Sequence, residues 1–213
     1  MLHLGFTPLL ALVLGASLGA AFPQNALKKS CSLSKYQFLV PHELKAVQKM
    51  KEQFEDIMLL SDRNCNTRLF HRKWNTAELS VPDRVMLVEA ELDLATAMLV
   101  LPAAPGFAET RQRPLAFLTQ AREDLRGCMA TEAPSHQPSG KLRHWLQKLQ
   151  TAKKMVSQAS KGEGVSGCWL SPELTRLFSP LQETTGCLEA SAILHLFQVL
   201  NDLRCAALRE QCT

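Results

Sequence analysis

The chain predicts an all-α fold: an up-down bundle of helices joined by long connections that disulfides hold down. Three observations carry that prediction. Apolar residues recur at helical spacing along five segments, and the alternation of a half-buried strand is absent. Long connections separate several of those segments. Seven cysteines follow an N-terminal stretch of secretory type, which places them where disulfides persist.

Leu9 to Leu18 is an apolar run of signal-peptide length, and Gly19-Ala20-Ala21 forms a small-residue cleavage site before Phe22. The preceding region is atypical, with His3 and no Lys or Arg. The run is too short to span a bilayer, and no later segment is long and apolar enough to do so. Residues 1–21 are therefore read as a cleaved signal, and residues 22–213 as one secreted, soluble helical domain without membrane insertion. Roughly 190 residues suffice for one domain with a sizeable core.

The first helix is expected from Pro41 to about Leu60, since proline is accepted at a helix start. Its Val47, Met50, Phe54, Ile57 and Met58 fall within about 100° of arc and define a core face. Before it, Cys31 to Pro41 is expected to be ordered by a disulfide; after it, Asp62 to Leu79 reads as a crossover loop. The second helix, Val81 to Leu101, opens at Ser80 as a cap and stops at Pro102. It is apolar nearly all round, which places it at the centre of the bundle. The third, near Thr110 to Met129, carries Leu115, Leu118 and Leu125, with Pro114 in its first turns. The linker "TEAPSHQPSG" (131–140) leads to the basic amphipathic "KLRHWLQKLQTAKK", whose Leu142, Trp145, Leu146 and Leu149 pack it on the bundle. The last helix runs from about Gly186 to Arg209. Helices so connected are in the style of the helical cytokines.

Net charge is +4, which fits weak attraction to anionic polysaccharide and falls short of a nucleic-acid footprint. The basic helix also admits an alternative function, a secreted module binding lipid or anionic polysaccharide. No catalytic constellation is present. The six histidines form no H-E-x-x-H, and none pairs with a C-x-x-C. Neither G-x-S-x-G nor C-G-x-C-W marks a nucleophile. The carboxylate pairs Glu89/Glu91 and Glu55/Asp56 sit on helices without converging and read as surface charge. An enzyme, a cofactor and a metal are therefore not expected. N-glycosylation is not expected either, because Asn66 and Asn75 lack the acceptor pattern.

Gly162, Gly164 and Gly167 in "SKGEGVSGCWLS" spell a literal G-x-G-x-x-G. A dinucleotide loop needs a buried strand before it and a helix N-terminus after it. Here polar "KKMVSQAS" precedes it, and Pro172 disfavours helix at Ser171. The match is a coincidence of glycines.

In the last helix, Leu188, Ala192, Ile193, Leu196, Val199, Leu200 and Leu203 share one broad face at about 100° per residue. Phe197 lies at its rim and Leu194 well beyond it. Such positions either widen the core contact or anchor a partner.

"GCLEASAILHLFQVLNDL" resembles the final helix of the type III, or lambda, interferons, with its G-C-L-E-A-S followed by an L-F pair. "LVPHELKAVQKMKEQFEDIMLL" resembles their first helix, "VEAELDLATAMLVL" their E-A-E-L helix, and "GKLRHWLQKLQ" their basic helix. Cys65 with Phe70 and Trp74 keeps their loop spacing. "CSLSKYQF" and "RCAALREQC" resemble an avian-type branch.

The resemblance implies a monomeric, secreted antiviral cytokine that bridges a private receptor chain and a shared chain of the interleukin-10 class, activating JAK–STAT signalling. It places the private receptor against the first helix, the crossover loop and the last helix. That points to Pro41, Leu44, Gln48, Trp74, Leu194 and Phe197, with Leu194 standing where family members often have Phe. It also implies the pairs Cys31–Cys128, Cys65–Cys187 and Cys205–Cys212, which leaves Cys168 unpaired. Cysteine spacing alone leaves the pairing open.

One block departs from the family pattern. Deleting Val156 to Gln182 restores a continuous "KKMETTGCLEAS". Val-Ser can be encoded GTGAGT and Gln CAG, so residues 156–182 read as a translated retained intron or a real insertion, which a loop between helices tolerates. In the protein the block is expected to be mostly disordered, with one helical turn near Glu173 to Phe178.

Overall fold

The computed structural model describes residues 31–60, 65, 68–102, 105–160 and 185–212. The signal and most of the atypical block, including the turn expected at 173–178 and Cys168, lie outside the described residues. Among the described residues there are six α-helices and no strand: α1 (Pro41–Leu60), α2 (Val81–Leu99), α3 (Pro105–Glu132), α4 (Gly140–Ser160), α5 (Thr185–Leu194) and α6 (Leu196–Leu208). The all-α bundle is the predicted class.

Helix α2 is the axis of the molecule and packs against α3, α4, α5 and α6. Its composition dictates that place. Val85, Leu87, Val88, Leu92, Leu94, Ala95, Met98 and Leu99 point to several sides of the helix and are all buried. Ser80 caps it by accepting from the Asp83 amide at 3.4 Å. The helix ends two residues before the expected Leu101, with Val100 at its C-cap and Pro102 just beyond.

Helices α3 to α6 pack on this axis, and α1 lays its apolar stripe on α3 and α5. Val47, Met50 and Phe54 of α1 are buried, but Ile57 is 36% exposed. The inward stripe therefore narrows at the end of α1, where the half-buried Met58 packs against the core instead. Helix α3 is longer than the pattern indicated because it begins at Pro105, a residue suited to a first turn. Pro114 consequently lies well inside it, buried, and Leu118 and Leu125 reach the core. Leu142, Trp145 and Leu149 bury the apolar side of α4 as expected.

Two boundaries change the reading. Helix α4 continues to Ser160 instead of stopping near Lys154, and Val156 is 3% exposed. The first five residues of the atypical block are thus helical, not disordered. The last helix is interrupted: His195 leaves helical geometry at φ −98° and ψ 5°, dividing α5 from α6. Its Nδ1 lies 2.8 Å from the Ser191 carbonyl and its ring stacks on Phe70 at 5.9 Å. His195 at the break thus meets the crossover loop, a contact that helical periodicity alone does not reveal. Even so, Leu188, Ala192, Ile193, Leu196, Val199, Leu200 and Leu203 are all buried.

Three disulfides staple the connections, Cys31 to Cys128, Cys65 to Cys187 and Cys205 to Cys212, the pairs the resemblance implied. The first fastens the N-terminal segment to α3, and the second ties the crossover loop to α5. Between Cys31 and α1, the buried Tyr36 donates its hydroxyl to Asp124 of α3 at 2.7 Å. Arg84 of α2 ties the end of the crossover loop to the end of α6 by donating to the carbonyls of Ala77, Leu79 and Arg209.

Candidate functional site

The six residues singled out from the sequence lie on three elements. Pro41 and Gln48 of α1 are exposed, while Leu44 between them is half-buried and packs on the core. Spacings of three and four residues put them on one side of the helix. Gln48 is steadied by donating to Glu52 at 2.6 Å, one turn on. Helix α1 contacts α5, the first part of the last helix. Leu194 and Phe197 are half-buried on either side of the His195 break, and Phe197 packs partly on the core.

The crossover loop docks on this end of the bundle through its backbone. The Phe70 carbonyl accepts from Gln198 at 3.1 Å, and the Leu69 carbonyl accepts from Lys148 at 2.8 Å. Phe70 itself is fully buried, its ring stacked on His195. Trp74 follows a different course and turns toward α4. Its ring meets Trp145 edge-on at 6.0 Å and lies under the Arg72 guanidinium at 4.8 Å. The structure therefore sets Phe70 against His195 and Gln198, the sequence neighbours of Leu194 and Phe197, and sets Trp74 against α4.

Beneath Trp74 lies a cluster of charges that no sequence pattern announced. Arg72 pairs with Asp202 of α6, and Thr76 donates to the same carboxylate. Arg72 Nε stands 3.5 Å from Glu91 Oε1, which also accepts from the Trp145 indole at 3.2 Å. Glu91 has no exposed surface, which overturns its reading as surface charge. Burial, and then the neighbouring Asp202, push its carboxyl up to about 8, opposed by Arg72 and the indole N–H. Burial also raises Asp202, opposed by Arg72 and the Thr76 hydroxyl. Glu89 is half-buried, held by Arg122 at 3.3 Å and Arg126 at 3.2 Å. Burial, and then Asp93, raise it against those two arginines.

Phe38 is 80% exposed, just before Pro41. It precedes the first helix, so periodicity carried no signal for it. Arg72 and Asp202 were missed, because residues far apart in sequence carry no mark of their pairing. The apolar side of the basic helix is occupied by the bundle, which removes the face a lipid would take. No cluster of three or more metal-ligating side chains occurs among the described residues, and no described helix is long and apolar enough to cross a membrane.

Comparison with known proteins gives a consistent picture. The sequence model of a family described as interleukin-28A matches residues 28–165 and 161–209. The chain is 63% identical to interferon lambda-3 of Gallus gallus over 213 residues, covering 100% of both chains. It is 28% identical to interferon lambda-1 of Homo sapiens over 204 residues, covering 93% of this chain and 88% of that one. It is 29% identical to interferon lambda-2 of Mus musculus over 187 residues, covering 86% and 83%.

Proposed function

The chain belongs to the type III, or lambda, interferons, antiviral cytokines and not enzymes, and on that premise we propose that it signals by assembling two receptor chains. The private lambda-interferon receptor chain meets α1 at Pro41, Leu44 and Gln48, the crossover loop at Trp74, and the last helices at Leu194 and Phe197. The shared chain of the interleukin-10 class completes the complex, and JAK–STAT signalling follows. Residues 1–21 direct secretion and are removed, leaving residues 22–213 as a monomeric ligand. Residues 156–182 are an insertion whose origin is a retained intron.

What supports this reading most is the placement of Phe197. Its neighbours Leu196, Val199 and Leu200 are buried, yet this large aromatic remains half-exposed beside the helix break at His195. Half-exposed aromatics of this kind become anchors when a partner completes their burial. Exposed Pro41 and Gln48 lie on a helix that contacts α5, so one partner surface can span both.

The test is STAT phosphorylation in responsive epithelial cells treated with refolded protein. Phe197→Ala is expected to shift the dose–response by about 30-fold, the loss of a strong interface anchor, with an unchanged far-ultraviolet circular dichroism spectrum. A wild-type dose–response from that variant removes Phe197 from the receptor surface. Absence of STAT phosphorylation by the folded wild type removes the receptor reading altogether.

A further inference from the structure

Glu91, Arg72, Trp74 and Trp145 close a ring of contacts around one half-buried indole. Glu91 Oε1 accepts from Trp145 Nε1 at 3.2 Å and stands 3.5 Å from Arg72 Nε. The Arg72 guanidinium carbon lies 4.8 Å from the Trp74 ring centre, and Trp145 meets that ring edge-on at 6.0 Å. Trp74 is thus held between a cation and a second indole; the indole bonds Glu91, and the cation is anchored on Asp202 beside it. Arg72 offers almost nothing to a partner directly, since its side chain is 4% exposed and its Nη atoms donate to Asp202 and Thr76. We propose that Arg72 is the positioning residue for Trp74, fixing the orientation in which the indole meets the private receptor chain. This rests on the receptor surface proposed above.

The chemistry explains why an arginine stands there. A planar guanidinium stacks on an aromatic face while its edge still bonds a carboxylate, which a lysine ammonium cannot do in one geometry. The charged groups facing Glu91 are Arg72 from the loop and Asp202 from α6. Helix α4 presents the neutral indole of Trp145, with Lys148 turned to the Leu69 carbonyl. One cation cannot neutralise two carboxylates away from water, so the cluster retains a proton. That proton leaves Arg72 and Asp202 a compensated pair and keeps the guanidinium in place over the ring.

The test is a double-mutant cycle on the secreted chain: wild type, Arg72→Lys, Trp74→Ala and the double variant. Each is measured for affinity to the ectodomain of the private receptor chain and for near-ultraviolet circular dichroism of the free protein. Arg72→Lys is expected to weaken the complex about tenfold and to diminish the indole bands, while the double variant binds no more weakly than Trp74→Ala alone. Additive losses, or unchanged indole bands in Arg72→Lys, overturn the proposal. If the bands change but Trp74→Ala binds as wild type does, Trp74 is not at the receptor, and the surface reading falls with the functional half of this proposal. Should Arg72→Lys not fold, Arg72→Gln combined with Asp202→Asn removes both charges together and enters the same cycle.

Discussion

The indole nitrogen of Trp145 donates to Glu91 Oε1 at 3.2 Å, tying α4 to a carboxyl on α2 that has no exposed surface. Its carboxyl, ordinarily near 4.5, is pushed up to about 8 by burial and by Asp202. A raised folded-state value means that the native chain holds a proton the unfolded chain has released between those limits. The contribution is complete below the unfolded value and is lost as pH rises through the folded one. Wild type is therefore expected to lose roughly 3–4 kcal/mol between pH 5 and pH 8 from this group. Glu91→Gln carries no such proton and is expected to show a flatter profile. Urea midpoints at both pH values measure it, and equal slopes for the two proteins would sink the assignment.

Arg84 holds two regions of the chain in one fork. It donates through Nε to the Leu79 carbonyl at 2.9 Å, through Nη2 to that of Ala77 at 2.7 Å, and through Nη1 to that of Arg209. The side chain is buried, so each bond forms where water cannot replace it. Lysine preserves the charge but cannot present the same planar fork. Arg84→Lys is expected to lower stability by about 2 kcal/mol. It should also loosen the end of the crossover loop, read as faster amide exchange near Ala77 and Leu79. A denaturation midpoint within error of wild type would show that the fork contributes nothing.

The disulfides differ in what they constrain. Cys31–Cys128 spans a sequence separation of 97 and Cys205–Cys212 one of 7. If restriction of the unfolded chain governs their effect, the longer link contributes about 2 kcal/mol more, since the term grows with the logarithm of loop size. Replacing each pair by serines and comparing chemical denaturation tests this. Equal losses would assign the stabilisation to native-state contacts instead.

Much of this fold was legible because its helices obey periodicity. Ser80 and Pro102 bracket α2, and the core positions of the last helices follow the wheel despite the break. Glu91 was misread although the signal was present: on a helix apolar nearly all round, a carboxylate has no solvent side to occupy. The interruption at His195 was not legible, since no proline or glycine marks it and its ring partner Phe70 lies far away in sequence. The same holds for Arg72 and Asp202, separated by 130 positions and joined only by folding. At the candidate site, periodicity placed Phe197 at a rim, whereas the stacking beneath Trp74 needed coordinates.

The atypical block offers a last prediction. Its first residue, Val156, is 3% exposed in α4, and the six cysteines outside the block are all bonded to one another. Removing residues 156–182 puts Glu183 directly after Met155, a charge where the core holds valine. A charged residue cannot occupy that site cheaply, so the shortened α4 is expected to end near Met155. Loss of the Val156 contact costs about 1.5 kcal/mol, partly offset by the smaller closure entropy of a shorter connection. The shortened chain is therefore expected to fold, keep Cys65–Cys187 and retain full STAT activity. In the long chain, Cys168 is the one cysteine left without a partner in those pairs, and exchange with Cys65 or another molecule follows from that. Non-reducing electrophoresis is expected to show, beside the monomer, a fraction of disulfide-linked dimers that both Cys168→Ser and the deletion abolish. Identical monomer bands for all three proteins would count against the thiol argument, and a deletion variant that fails to fold would make the block a working part of the bundle.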